Sequence, residues 1–308
     1  MAGLGDALLA ALCATGMQLL WLLGPAAACA IVLSQLEGLT SALLARTFGW
    51  RAVLATGWLG VPVHELSHVA ACLVFMHEVE EVKLFSPDPE SGRLGFVRHR
   101  APAANPWAEL GRLFIGLAPL AGGAFALYLV ARAALPDAAL ASLLDAPSTE
   151  VPAREALERA LWSSVALFDP RHLASWRLWA FLAVATCIGA HLAPSRSDLR
   201  GAARGALALV LLAFVVNLAA QPFGGFGEAQ LRMVAAWTTP LLALLLLAVV
   251  LSSAVLALAL VVTSLVEWRR GAEGHLGRFA REHWARLALV AGAGLAFAFA
   301  AGALPRPF

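Results

Sequence analysis

Charged residues are scarce in this sequence and unevenly spread. They make up 14% of the 308 residues, against roughly a quarter in an ordinary soluble domain. None occurs between Asp6 and Glu37, and none between Arg232 and Glu267. Runs of that length exclude the surface of a water-soluble fold. The net charge is only +2 and the basic residues are scattered, which excludes a nucleic-acid-binding stripe. Cysteine is also rare: Cys13, Cys29, Cys72 and Cys187 stand apart in apolar segments with no C-x-x-C spacing. They read as small buried hydrophobes, not as a disulfide framework or a thiolate metal site. The opening Met1–Asp6 carries no basic residue, so it lacks the n-region of a secretory signal. The first apolar run is therefore expected to be retained. No internal repeat is visible.

What is present is apolar residue, 60% of the chain, gathered into long segments. A helix needs about 20 mostly apolar residues to cross hydrocarbon. Seven segments are candidates, near 7–34, 52–76, 113–131, 174–193, 205–222, 233–266 and 287–304. Gly24-Pro25 is expected to kink the first, because proline removes a backbone donor. Residues 38–50 read as a short interfacial helix, and the amphipathic stretch 153–168 as a helix on the bilayer surface or an ordinary loop helix. Tryptophans such as Trp107, Trp176, Trp268 and Trp284 fall near segment ends, as an aromatic belt would. The fold class that follows is an all-α polytopic membrane protein of six to seven transmembrane helices.

Between the second and third segments the pattern changes. Val79–Phe85 and Arg93–Val97 are strand-like runs on either side of Ser86-Pro-Asp-Pro-Glu-Ser-Gly92. This predicts a small β-hairpin at the membrane edge. Its exposed edges invite another extended strand. His77 and the acids after it read as a solvated strand edge. The loops after the second, fourth and sixth segments hold the larger share of Lys and Arg, which makes that side cytoplasmic.

The chemistry is concentrated in His64-Glu65-Leu66-Ser67-His68, inside the second segment. Side chains four apart share a helix face, so both imidazoles can bind one metal ion. Glu65, one residue after His64, is placed to act as a general base on water. Two histidines and a carboxylate in hydrocarbon are costly, and ionisable groups at that depth are functional by default. The alternative is a pair of polar residues lining a water cavity.

A hydrolytic zinc site usually has three protein ligands and lowers the pKa of water to about 7. Asp198, just beyond the fourth segment, is the stronger third candidate, and His191 is the rival. The competing reading of Asp198 is a helix N-cap.

Taken together, these residues resemble the site-2 protease family of intramembrane zinc metalloproteases, over roughly residues 55–205. His64-Glu65-x-x-His68 is similar to the family's zinc helix, and the 79–98 hairpin to the β-element that follows it. Gly116-Leu-Ala-Pro119-Leu-Ala-Gly122-Gly123 is similar to its small-residue segment, with Gly123 where the family has asparagine. Pro194-Ser-Arg-Ser-Asp198-Leu-Arg-Gly201 is similar to its proline- and aspartate-containing segment.

The resemblance implies Zn2+ held by His64, His68 and Asp198, with Glu65 catalytic and His191 as an auxiliary group near the position of a second family asparagine. It implies hydrolysis of a membrane protein or peptide, within a lipid bilayer such as the bacterial inner or cell membrane. The chain is then one membrane-embedded domain, 1–308, with a metalloprotease-like core at about 52–205 and further helices in 1–50 and 206–308. A second reading keeps the zinc site in a non-catalytic scaffold or regulator. The prenyl-protein peptidases also place H-E-x-x-H in a membrane, but their later glutamate has no motif-level counterpart at Glu228 or Glu267.

Overall fold

The computed structural model describes residues 4–135, 174–221, 228–270 and 275–300. The expected surface helix at 153–168 lies outside them. The described residues are mostly helical. In chain order they form α1 (Leu4–Phe48), α2 (Trp50–Val74), β1 (Glu78–Lys83), β2 (Phe96–Arg100), α3 (Pro106–Ala134), α4 (Trp176–Gly189), α5 (Arg196–Ala220), α6 (Glu228–Arg269), α7 (His275–Glu282) and α8 (Trp284–Ala300).

Four of these helices contain stretches long and apolar enough to cross a membrane: Gly5–Phe48, Pro106–Ala134, Arg196–Ala220 and Leu241–Arg270. That is fewer than the seven segments expected. α4 and α8 are apolar but short. α2 has the length, yet His64, Glu65, Ser67 and His68 make it too polar to qualify by composition. The separate surface helix expected at 38–50 is absent. α1 runs on to Phe48, with Pro25 inside it, and the chain turns only at Gly49. Tertiary packing explains that continuity: Leu33, Leu36, Leu39 and Leu43 are all buried along one α1 stripe.

α3 starts earlier than the hydropathy suggested because its first turn is built for it. The Asn105 side chain accepts from the Trp107 and Ala108 backbone N–H groups, and Pro106 fills the first helical position. Trp107, Trp176, Trp268 and Trp284 are exposed near helix ends. All four cysteines are free. Cys29 and Cys72 are buried as expected, whereas Cys13 faces outward.

α3 packs along α5, α1 along α6, and α2 against both α3 and α4. The main apolar core joins Leu33, Leu120, Leu127, Phe181 and Leu245–Leu247 from α1, α3, α4 and α6. Two small residues set the approach of the site-bearing helices. A Cβ on Gly60 of α2 would lie 2.6 Å from the His191 Cδ2 atom and against the Cys187 carbonyl. A Cβ on Gly116 of α3 would lie 2.5 Å from the Asp198 carbonyl oxygen and 2.8 Å from the Ala202 Cβ atom. Such close backbone approach is how helices associate where no hydrophobic effect drives them together.

The hairpin is antiparallel. Glu78 faces Arg100, Val79 faces His99 and Val82 faces Val97, with an irregularity between Val79 and Glu81. Arg100 pairs with Glu78 at 2.7 Å and Arg98 with Glu81 at 3.2 Å, with Glu81 half-buried and the other three exposed. Such exposed pairs contribute about 0.2–1 kcal/mol each. They set register more than stability. Among the described residues the sheet has two strands.

Candidate metal centre

α2 brings His64 and His68 onto one face, with their Nε2 atoms 3.2 Å apart. α5 supplies Asp198, whose Oδ2 atom lies 3.6 Å from His64 Nε2 and 3.5 Å from His68 Nε2. These three side chains are the metal-capable cluster among the described residues. His68 is buried, while His64 and Asp198 are partly exposed.

The tautomers follow from the second contacts. His64 Nδ1 lies 2.7 Å from the His191 carbonyl oxygen, and His68 Nδ1 lies 2.9 Å from the Ile115 carbonyl oxygen. A carbonyl only accepts, so both Nδ1 atoms carry the proton and donate. Neutral rings in that state have bare lone pairs at Nε2. Two imidazole Nε2 atoms and a carboxylate oxygen thus converge, an arrangement that either a metal ion or a proton shared between an Nε2 and Asp198 would hold together.

The dimensions fit zinc. Metal–ligand bonds of about 2.0–2.2 Å at tetrahedral angles put neighbouring donor atoms about 3.3–3.6 Å apart. The three separations observed, 3.2, 3.5 and 3.6 Å, bracket that spacing. Carbonyl partners on the distal ring nitrogens are the usual outer support of zinc-bound histidine.

Asp198 also has a local structural role. Ser195 caps α5, accepting from the Asp198 N–H at 3.2 Å, while Asp198 Oδ2 accepts from the Ser195 N–H at 2.7 Å. The cap reading holds and does not exclude the ligand reading: Asp198 is the third-position member of a capping box, and its carboxylate also faces the histidines.

Glu65 is 7% exposed and makes no hydrogen bond or ion pair to the described residues, which leaves its carboxylate available for proton transfer. His191 stands apart from the cluster. Its Nδ1 faces Glu37 Oε1 of α1 at 3.4 Å and its Nε2 faces Thr56 Oγ1 at 3.3 Å. The rival ligand thus reaches the site through its backbone carbonyl alone. Gly123 packs against Leu192 and Gly122 against Ser67, so neither position has room for an amide side chain.

His77 corrects the sequence reading. It is 5% exposed, not a solvated edge, because its Nε2 donates to the Ala108 carbonyl of α3 at 2.9 Å while Nδ1 meets His99 Nδ1, also at 2.9 Å. His99 and Glu37 were not singled out from sequence. The alternation of β2 turns His99 inward, but only the α3 packing decides what lies there. A cavity of about 130 Å³ opens beside the metal cluster, lined among others by His68, His99, Arg112, Gly116, Ser197 and Asp198. No protein family, curated protein or solved structure matches this chain.

Proposed function

We propose that this chain is a multi-pass membrane protein that hydrolyses peptide bonds in or beside transmembrane segments, as a zinc metalloprotease of the site-2 type. The observation that carries the reading is the convergence of three potential metal ligands, His64 Nε2, His68 Nε2 and Asp198 Oδ2, at zinc-like spacing. A free buried carboxylate, Glu65, stands next to the first of them in sequence.

Zinc held by these side chains would acidify water and polarise the scissile carbonyl. Glu65 takes the proton that water gives up and holds it on its carboxylate. It then passes that proton to the amine nitrogen as the C–N bond breaks. A helical substrate hides its carbonyls in its own hydrogen bonds and must unwind before it can react. The two-stranded hairpin has free edges that an unwound segment can join as a further strand.

The test is metal content beside cleavage. Wild type is expected to hold about one zinc and to cut a membrane peptide. Glu65→Gln keeps the zinc and loses the cutting, while His68→Ala loses both. Equal processing by wild type and Glu65→Gln rejects the mechanism.

A second reading, a non-catalytic scaffold, is favoured by one feature. Gly123, where the resembling family has an amide side chain, is filled against Leu192. Stoichiometric zinc with no hydrolysis would select it.

A further inference from the structure

His99 lies on the hairpin, outside the metal cluster, yet its ring lines the cavity beside that cluster. Its hydrogen bonding can be worked out from its neighbours. His77 Nε2 faces a carbonyl oxygen, that of Ala108, and so carries a proton. A neutral His77 ring with its proton on Nε2 has a bare Nδ1. The His99 Nδ1 atom, 2.9 Å away, must then donate to it. A neutral His99 protonated at Nδ1 has a bare Nε2. That atom has no hydrogen-bond partner among the described residues. Burial pushes the His99 imidazole down to about 4, which keeps the ring neutral at physiological pH.

We propose that His99 is a substrate-binding residue: its bare Nε2 accepts a hydrogen bond from a backbone N–H of the peptide that occupies the cavity. The proposal rests on the peptide-hydrolase reading of the neighbouring cluster. It adds a reason why the hairpin lies where it does. Strand β2 offers its own backbone to an incoming strand, and His99 extends that backbone recognition inward, towards His68 and Asp198. An acceptor of this kind reads main chain and not side chain, so it suits a protease that takes apolar segments of varied sequence.

The experiment measures binding, so that it does not depend on turnover. The probe is a fluorescent synthetic peptide of about 25 residues, a Leu/Ala span with a central Gly-Pro pair, in detergent micelles. It is accompanied by analogues in which single central N–H groups are replaced by ester oxygen. Affinities are compared for the Glu65→Gln protein with His99 intact, with His99→Leu and with His99→Gln. One ester position is expected to weaken binding about two- to tenfold when His99 is present and to have no effect in His99→Leu. His99→Gln, whose amide oxygen can accept in place of Nε2, keeps most of the affinity. Zinc content stays the same in all three. Two results overturn the proposal: no ester position that separates intact protein from His99→Leu, including no binding by any form, or zinc loss in His99→Leu. Binding that behaves as expected, with no cleavage by wild type, would reject the hydrolase reading and leave the role of His99 standing.

Discussion

The Nδ1 atom of His64 donates to the backbone carbonyl of His191 at 2.7 Å. This single bond joins α2 to the end of α4 and fixes which nitrogen of His64 is free for a metal. It also explains why His191 can sit at the site without being a ligand, since only its main chain takes part.

The first prediction concerns that distinction. Asp198→Ala removes a donor atom and is expected to weaken zinc binding by more than about a hundredfold. His191→Ala keeps the carbonyl and should cost less than about tenfold. Zinc affinities measured by competition with a chelating dye separate the two. Equal losses would make His191 a ligand after all.

Gly116 should be intolerant of any larger side chain. Its Cα faces the first turn of α5, and Gly116→Leu must push Asp198 away from the histidines. Overpacking of this kind costs about 1–3 kcal/mol. The variant is expected to melt earlier in detergent and to lose zinc. A Gly116→Leu protein with full zinc content would show that α3 does not set the position of Asp198.

Glu37 is expected to matter for stability although it lies outside the metal cluster. Its carboxylate and the Thr56 hydroxyl are the side-chain partners of the buried His191 ring. Glu37→Leu leaves that ring with one unmet nitrogen, at a cost of about 1–3 kcal/mol. Thermal midpoints of Glu37→Leu and of the Glu37→Leu/His191→Leu double variant test this. Removing both partners should restore much of what the single change loses.

Stability of the hairpin region should depend on pH through His99. Its folded pKa, about 4, lies below the unfolded value of about 6.5. Within that window the unfolded chain binds the extra proton, so stability rises with pH and is lost as pH falls. Facing His99 are His77 before β1, His68 of α2, Arg112 of α3 and Asp198 of α5. Asp198 alone favours the protonated ring. Resistance of residues 78–100 to proteolysis should decline between about pH 7 and pH 5 in wild type, and less in His99→Phe. An identical decline in both would assign the effect to other groups.

Much of this was legible in the residues themselves. The charge-free runs announce long apolar helices because hydrocarbon tolerates little else. The period of four that unites His64 and His68 is a property of any helix. The strand–turn–strand pattern around Pro87–Gly92 needs no tertiary information either. Asp198 was nameable as a third donor, since it lies just beyond the fourth apolar segment, on the same expected side as the loop that follows α2.

Other features were decided only by packing. Whether Asp198 caps a helix or faces the histidines depends on how near α5 comes to α2 and α3, and Gly116 sets that distance across a gap in sequence that no local rule spans. The fate of His191 turned on Glu37, far away on α1, which captures its ring and leaves only its carbonyl for His64. His77 looked solvated beside its acidic neighbours until the first turn of α3 covered it. In each case the side chain had two chemically reasonable partners, and local sequence does not record which of them the folded chain brings within 3 or 4 Å.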